Sequence, residues 1–468
     1  MTSPFRAVRR GRRSLTALLI AAVACVVTVS VAAWSQPLDR ALTADLSTPS
    51  VAPPSGSVGP ASPDPTATAA PPSEPPASPV TPAPTAPPTV APPSSAPVEP
   101  AFEPGIGAGR AQWLQSRLDR LRARYAIPGV SATIILADGT TWTGVSGLAD
   151  VKRNTPVEAD TAFAIASVTK TYTAALILAL AEEGRLDLDA RVTTILPGVR
   201  IAGKATVRQL LDHTSGLPDY FLHGKIDRAL FGERARRWTS AEAFRYVGKP
   251  IFPAGKGWYY SNTNYRLLGL IAEEVGGRPL GEQLRERFLG PLGLDRTWDQ
   301  VTDEPRGPVA HGYRVTGTRA RPRFSDLADG TGVAPFSSVV TAAGGAGSLA
   351  ASSPDVARWA RALYRGEVLP PATVRDMIAD ARRTARFRPR VPYGLGVQLV
   401  PLDGRPALGH SGRLAGFRSV VRYLPDEGIT IAVLTNESKQ DPGVIARALL
   451  HVVSPPPEPS PSASAIVR

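Results

Sequence analysis

From residue 35 to residue 107 the chain is proline, alanine, serine and threonine and little else. A segment of that kind cannot bury enough apolar surface to offset the entropy of ordering it, so it cannot belong to a packed core. Whatever folds must lie beyond it. Its proline density predicts a semi-rigid spacer rising about 3.1 Å per residue, with a reach on the order of 200 Å over about seventy residues. A tail at residues 454–468 repeats the composition. Residues 108–453 remain, and with 43% hydrophobic residues in the chain they suffice for a substantial core.

The segment before the spacer predicts its location. Five arginines, Arg6, Arg9, Arg10, Arg12 and Arg13, precede an apolar run at residues 15–34. That run has about the length needed to cross a bilayer. Arginines ahead of it are expected to hold residues 1–14 in the cytoplasm and send the rest outward, into or beyond the cell membrane. Small residues at Ser30-Val31-Ala32 also fit a cleaved signal, so an anchor and a removed signal are both compatible. Either way the folded part is expected outside the cytoplasm. Cys25 follows Ala22-Val23-Ala24 in the manner of a lipoprotein site, but more apolar sequence follows, and we read it as membrane-embedded. As the single cysteine it excludes an intramolecular disulfide and any cysteine-built zinc site.

The net charge of +13 does not point to nucleic acid. Only seven of the 53 basic residues are lysines, the arginines are scattered, and no basic cluster carries interleaved aromatics. No metal-ligand spacing and no phosphate-binding glycine loop occurs, so neither metal nor cofactor is expected.

Within 108–453, Leu114, Leu118, Leu121 and Tyr125 recur at helical spacing, and Pro128-Gly129 is the expected stop. Strands are predicted at Val130 to Leu136 and Thr141 to Ser146, joined at Asp138-Gly139. Three more are predicted near the end: Leu395 to Val400, Arg418 to Tyr423 and Ile429 to Thr435. Between the groups the pattern is mainly helical, with helices at Asn264 to Val275 and Asp355 to Leu363 and a last one opened by Asp441-Pro442. The expected architecture is α/β: one antiparallel sheet closed by both termini and flanked by helices, with a mainly helical lobe inserted.

Ser167-Val168-Thr169-Lys170 stands just before the apolar run Ala174 to Ala181, which Gly184 ends as a left-handed cap. At a helix start, residues three apart share a face, so the Lys170 amine can reach the Ser167 hydroxyl. Serine alone is a poor nucleophile and needs such a neighbour, and burial would lower the lysine pKa enough for it to accept a proton. Taken alone the pair is a weak signal, since serine three residues before lysine arises often by chance.

Two further motifs give it company. Tyr260-Ser261-Asn262 lies in a Gly-, Trp- and Tyr-rich loop before a helix, and His410-Ser411-Gly412 just before the C-terminal strand pair. In order and type these resemble the serine β-lactamase and D-alanyl-D-alanine carboxypeptidase superfamily, in its class C branch. The likeness extends to Leu210-Leu211-Asp212-His213-Thr214-Ser215-Gly216-Leu217-Pro218, to Gly344-Gly345-Ala346-Gly347-Ser348 and to Tyr393-Gly394-Leu395-Gly396. It implies a β-lactamase-like fold and assigns roles. Ser167 attacks a carbonyl and forms an acyl-enzyme, and Lys170 or Tyr260 is the base. Tyr260 carries a proton to the leaving amine. Asn262 hydrogen-bonds Lys170 or the substrate amide, and His410 binds the substrate carboxylate or tunes Tyr260. Ser411, Gly412 and Arg413 complete the substrate-binding run, with the backbone N–H groups of Ser167 and Arg413 forming an oxyanion hole. His213 is expected to brace its loop.

The substrate implied is a peptidoglycan peptide or another small acyl compound, with β-lactams as acylating ligands. Histidine at position 410, where class C β-lactamases carry lysine, and export on a spacer together favour a D-alanyl-D-alanine carboxypeptidase. An esterase or D-amino-acid peptidase comes next, then a β-lactamase. A binding module without turnover is a further class, against which the full set of reactive side chains speaks. No Gly-x-Ser-x-Gly elbow supports an α/β-hydrolase.

Overall fold

The computed structural model describes residues 106–386 and 392–455. The basic N-terminus, the apolar run, the proline-rich segment up to residue 105 and the tail from residue 456 lie outside the described residues.

Helix α1 (Ala108–Tyr125) buries Leu114, Leu118 and Leu121, the stripe its spacing predicts. It stops earlier than Pro128-Gly129, at Ala126, whose left-handed backbone (φ 53°) turns its N–H onto the Ala123 carbonyl. Strands β1 (Gly129–Ile135) and β2 (Thr141–Asp150) follow as a hairpin, with Thr140 N–H donating to the Asp138 carboxylate at 2.9 Å in the turn. Strand β2 runs on beyond Ser146 to meet the short β3 (Thr155–Pro156).

The middle of the chain holds three strands of two or three residues, too short for period-two alternation to reveal, and one hairpin that no alternation marks. Strands β4 (Phe163–Ala164), β5 (Thr297–Asp299) and β8 (Leu349–Ala351) form a three-stranded sheet, and β6 (Tyr313–Thr318) pairs with β7 (Arg321–Asp326). The helices here are α2 (Thr169–Glu182), α3 (Val207–Leu211) and α4 (Asn262–Gly276), and α5 (Ser353–Arg365) packs against β1 of the main sheet. Helix α2 is buried on nearly every face and ends as expected, with Gly184 at φ 68° and Arg185 N–H on the Leu180 carbonyl.

The chain closes with β9 (Gln398–Leu399), β10 (Leu408–Leu414), β11 (Phe417–Leu424), β12 (Ile429–Thr435) and helix α6 (Gly443–Val453). The main sheet has seven strands in the order β3-β2-β1-β12-β11-β10-β9, its named pairs antiparallel. Strand β1 lies against β12, Val130 opposite Thr435, so the two ends of the domain meet in mid-sheet as the sequence predicts. Alternation then sorts the core. Val130, Ala132, Ile134, Ile431 and Val433 pack with α1 and α6, while Ala432 and Leu434 join the larger core under the lobe. On that second face Ser131 and Thr133 both hydrogen-bond the Ser353 hydroxyl of α5 at 2.7 Å, satisfying polar groups that burial would otherwise penalise.

One expected strand is largely missing. Of Leu395 to Val400 only Gln398–Leu399 pairs, because Gly396 at φ 81° and Gly394 N–H on the Val397 carbonyl (2.8 Å) curl the preceding residues into a turn. Strand β9 therefore meets β10 only at Leu408 and Gly409. From His410 onward that edge of β10 has no strand beside it among the described residues, and the start of α2 faces it.

Candidate active site

Ser167 sits in a single 3-10 turn (Ala166–Val168) that runs into α2, half-buried at the floor of this gap. Ala166 before it is held at φ 49°, a strained conformation for a residue with a Cβ. Strands β10 and β11 clamp the turn. The Ser419 hydroxyl donates to the Ile165 carbonyl at 2.7 Å. At Gly412 an added Cβ would stand 2.3 Å from that carbonyl and 2.2 Å from Ser419 Oγ, so only glycine lets β10 come this close to the Ser167 turn.

Lys170 lies one turn along α2, fully buried, and its amine has three partners. These are Ser167 Oγ at 3.0 Å, Asn262 Oδ1 at 2.7 Å and the Ala346 carbonyl at 2.6 Å. The last two can only accept. A neutral amine that donates to both must turn its lone pair to the third partner, the serine hydroxyl. Burial supplies the neutrality: it draws the Lys170 pKa down to about 7, against the opposing pull of the Asp219 carboxylate. The Ala346 carbonyl comes from the Gly344–Ala346 turn, whose Gly345 carbonyl also accepts from Thr173 at 2.8 Å.

Tyr260 lies in the loop just before α4, its hydroxyl hydrogen-bonded to Ser167. Its ring lies under the Lys170 amine, 5.1 Å from the centroid. Burial drives its hydroxyl pKa upward, so at neutral pH it carries its proton. Asn262, at the first turn of α4, turns its amino group to Asp219 Oδ2 at 2.7 Å, which fixes its oxygen toward Lys170. Asp219 is a member of the cluster that sequence reasoning passed over. It directly follows the Leu217-Pro218 of a recognised motif, and only the fold shows that it lies behind Asn262. Burial raises the pKa of its carboxyl, opposed by the Phe221 N–H, by Lys170 and by Asn262.

The four residues of β10 are brought to the same cleft but differ in exposure. Ser411 is exposed, and both its N–H and its hydroxyl reach Gln398 Oε1, at 3.1 and 3.2 Å. Since N–H groups two apart along a strand point the same way, that of Arg413 is directed to the same open edge. Arg413 itself is half-buried. His410 is fully buried, with Nδ1 2.7 Å from the Ser411 carbonyl and Nε2 3.0 Å from the Tyr393 hydroxyl. The carbonyl must receive a proton from Nδ1, so Nε2 accepts from Tyr393. Burial and the Lys170 charge push its pKa well below the usual histidine range, and the ring is neutral. It meets the Tyr260 ring only at 6.3 Å between centroids, so its influence on the cleft is indirect.

Comparison with known proteins agrees with this arrangement. The family model described as Beta-lactamase matches residues 114–454. This chain belongs to that family. It is 30% identical to "Penicillin-binding protein 4" of Amycolatopsis lactamdurans over 342 residues, covering 70% of this chain and 85% of the relative. It is 27% identical to a "D-aminopeptidase" of Cereibacter sphaeroides over 333 residues, which is 69% of this chain but only 59% of that protein. Among solved structures, D-amino acid amidase from Ochrobactrum anthropi SV3 matches with a TM-score of 0.62 and 26% identity, covering 74% of this chain and 98% of that one. A D-stereospecific amidohydrolase from Streptomyces matches with a TM-score of 0.58 and 28% identity, covering 74% of this chain and 97% of its own. The chain is a serine hydrolase of the β-lactamase and penicillin-binding superfamily with the β-lactamase-like fold the motifs implied.

Two other features of this β-lactamase-family chain bear on earlier expectations. Among the described residues no helix is long and apolar enough to cross a membrane, and the run at 15–34 lies outside them. One group with metal-ligand chemistry, Asp150, His311 and Asp326, gathers at the ends of β2 and β7. There Asp150 already accepts from two backbone N–H groups and the Arg153 guanidinium, and His311 Nδ1 lies 2.7 Å from Asp326.

Proposed function

We propose that this chain cleaves amide bonds beside D-configured residues of short peptides, through an acyl-enzyme on Ser167. The observation that carries the proposal is the Lys170 amine, buried and held by two acceptors so that its free electron pair meets the serine hydroxyl. Lys170 is the base: its pKa lies near neutrality, whereas that of Tyr260 is raised. As Ser167 Oγ bonds to the carbonyl carbon its proton passes to Lys170. The oxyanion is held by the N–H groups of Ser167 and Arg413. Tyr260 then delivers a proton to the leaving nitrogen as the C–N bond breaks, and Lys170 reprotonates it. Water releases the acyl group by the reverse course.

Within this class the burial of His410 favours a D-amino-acid peptidase or amidase. A carboxypeptidase needs a cation on the substrate's terminal carboxylate, and a neutral imidazole with both nitrogens engaged does not supply one. The likeness to a penicillin-binding protein favours a D-alanyl-D-alanine carboxypeptidase as the second reading, with Arg413 as the cation. The arginine-rich start and the apolar run at 15–34 support a site of action outside the cytoplasm, at the membrane or in the wall.

The test compares turnover of a D-amino-acid amide, a D-Ala-D-Ala peptide, a short-chain ester and a cephalosporin. Intact-mass spectrometry after benzylpenicillin runs in parallel. The proposal expects the amide to lead. A leading peptide whose turnover falls in Arg413→Ala selects the carboxypeptidase, and a leading ester or cephalosporin overturns both.

A further inference from the structure

We infer that His213 is a positioning residue for Tyr260, its ring nitrogen and its main-chain carbonyl holding the two residues that flank the tyrosine. The inference rests on the proposed role of Tyr260 as proton carrier. The Tyr259 N–H donates to the His213 carbonyl at 3.0 Å, and the Ser261 N–H donates to His213 Nδ1 at 3.2 Å. Tyr260 is thus pinned from both sides by one residue. A backbone N–H can only donate, so Nδ1 carries no hydrogen and the ring proton resides on Nε2. A second donor reinforces this: Asn264 Nδ2 lies 3.0 Å from the same Nδ1, its oxygen being taken by the Ser215 hydroxyl at 2.7 Å. The imidazole also packs against the Tyr260 ring, 4.4 Å between centroids, and against the Tyr393 ring at 4.7 Å.

The arrangement is costly for a residue that only packs. His213 adopts φ 64°, in the left-handed region, and such strain collects at functional sites. Its Nε2 is buried without a hydrogen-bond partner among the described residues. A leucine or phenylalanine would fill the volume without leaving a buried N–H unmatched. What the imidazole adds is an acceptor at the one place where the Ser261 N–H needs it. Burial first, then the nearby Lys170 amine, holds the ring neutral, which keeps Nδ1 free to accept.

Asparagine tolerates the left-handed backbone and carries an acceptor oxygen where histidine has Nδ1, so His213→Asn and His213→Ala separate the acceptor from the bulk. Both are compared with the wild type and with Tyr260→Phe in turnover of a D-amino-acid anilide, with melting temperatures alongside. His213→Ala is expected to lose kcat by about 100-fold, the scale of an ångström's misplacement, with KM nearly unchanged. His213→Asn is expected to regain most of that loss, and His213→Ala/Tyr260→Phe to be no worse than Tyr260→Phe. In the wild type, ¹⁵N NMR of labelled histidine is expected to show His213 protonated at Nε2 alone. Overturning results are a folded His213→Ala with wild-type kcat, a His213→Asn as damaged as the alanine variant, or an Nδ1-protonated ring. If Tyr260→Phe keeps wild-type turnover, the reading of Tyr260 fails instead. The NMR result then still decides whether the clamp exists.

Discussion

The cleft has two unlike walls. On the helix side Lys170, Asn262, Asp219, Tyr260 and the Ala346 carbonyl are joined in one network, where most polar atoms have a single permitted role. On the strand side β10 offers a backbone edge, the exposed Ser411 and the half-buried Arg413, while its one imidazole is turned inward. The difference separates two tasks. Low dielectric and fixed acceptors tune a proton affinity, so the chemistry belongs to the helix wall. An open strand edge beside solvent can pair with a peptide-like chain, so under the proposed function selectivity falls to the strand wall.

The largest effect should come from the helix wall. Ser167→Ala is expected to remove the penicilloyl adduct entirely and to lower turnover by on the order of 10⁴-fold or more. Intact-mass spectrometry and steady-state kinetics check it. An adduct that survives would place the nucleophile elsewhere and dissolve the contrast between the walls. Lys170→Gln should follow at about 10³-fold, the usual reach of a lost general base. In the wild type kcat/KM should climb as the pH rises through about 7, because only the neutral amine can take the serine proton, and level off above. A profile flat from pH 5 to 9 would remove Lys170 as the base.

Gly412→Ala strikes the strand wall while leaving every reactive side chain in place. Its Cβ would meet the Ile165 carbonyl at 2.3 Å, and backbone cannot yield as a flexible side chain can. We expect a loss of about 1–3 kcal/mol of stability, read by denaturant unfolding. The shift of β10 away from Ser167 should cost about 100-fold in kcat. An unimpaired variant would mean that the open edge plays no part in holding the oxyanion.

Legibility from sequence divides along the same line. The Ser167–Lys170 pair was readable because helical spacing alone brings residues three apart together. The sheet's centre was readable because Ile429 to Thr435 and Val130 to Leu136 alternate or run apolar over a full strand. Asp219 was not, since its relation to Lys170 passes through Asn262, which is distant in the chain and near only in the fold. Neither was the inward turn of His410: a glycine-flanked histidine gives no sign of which sheet face it takes. The missing part of β9 hid behind Leu395 and Val397, which are apolar as a strand requires and buried in a turn instead.

The smallest predicted effect tests how far charge reaches along the helix wall. In Asp219→Asn the carboxylate that favours the protonated form of Lys170 is gone, so the Lys170 pKa should fall further and the rising limb of kcat/KM should move to lower pH. Burial remains the main cause of the lowered pKa, so the displacement should be modest. The plateau should drop as well. Asp219 now accepts from Phe221 N–H on one oxygen and from Asn262 on the other, and an amide offers one oxygen for two donors. Losing one such bond costs about 1.4 kcal/mol, or about tenfold in rate if Asn262 turns as a result. A pH–rate series on the D-amino-acid amide separates the two effects. A limb that stays in place while the plateau drops would show that Asp219 acts only by placing Asn262, and that the network on the helix wall is geometric rather than electrostatic.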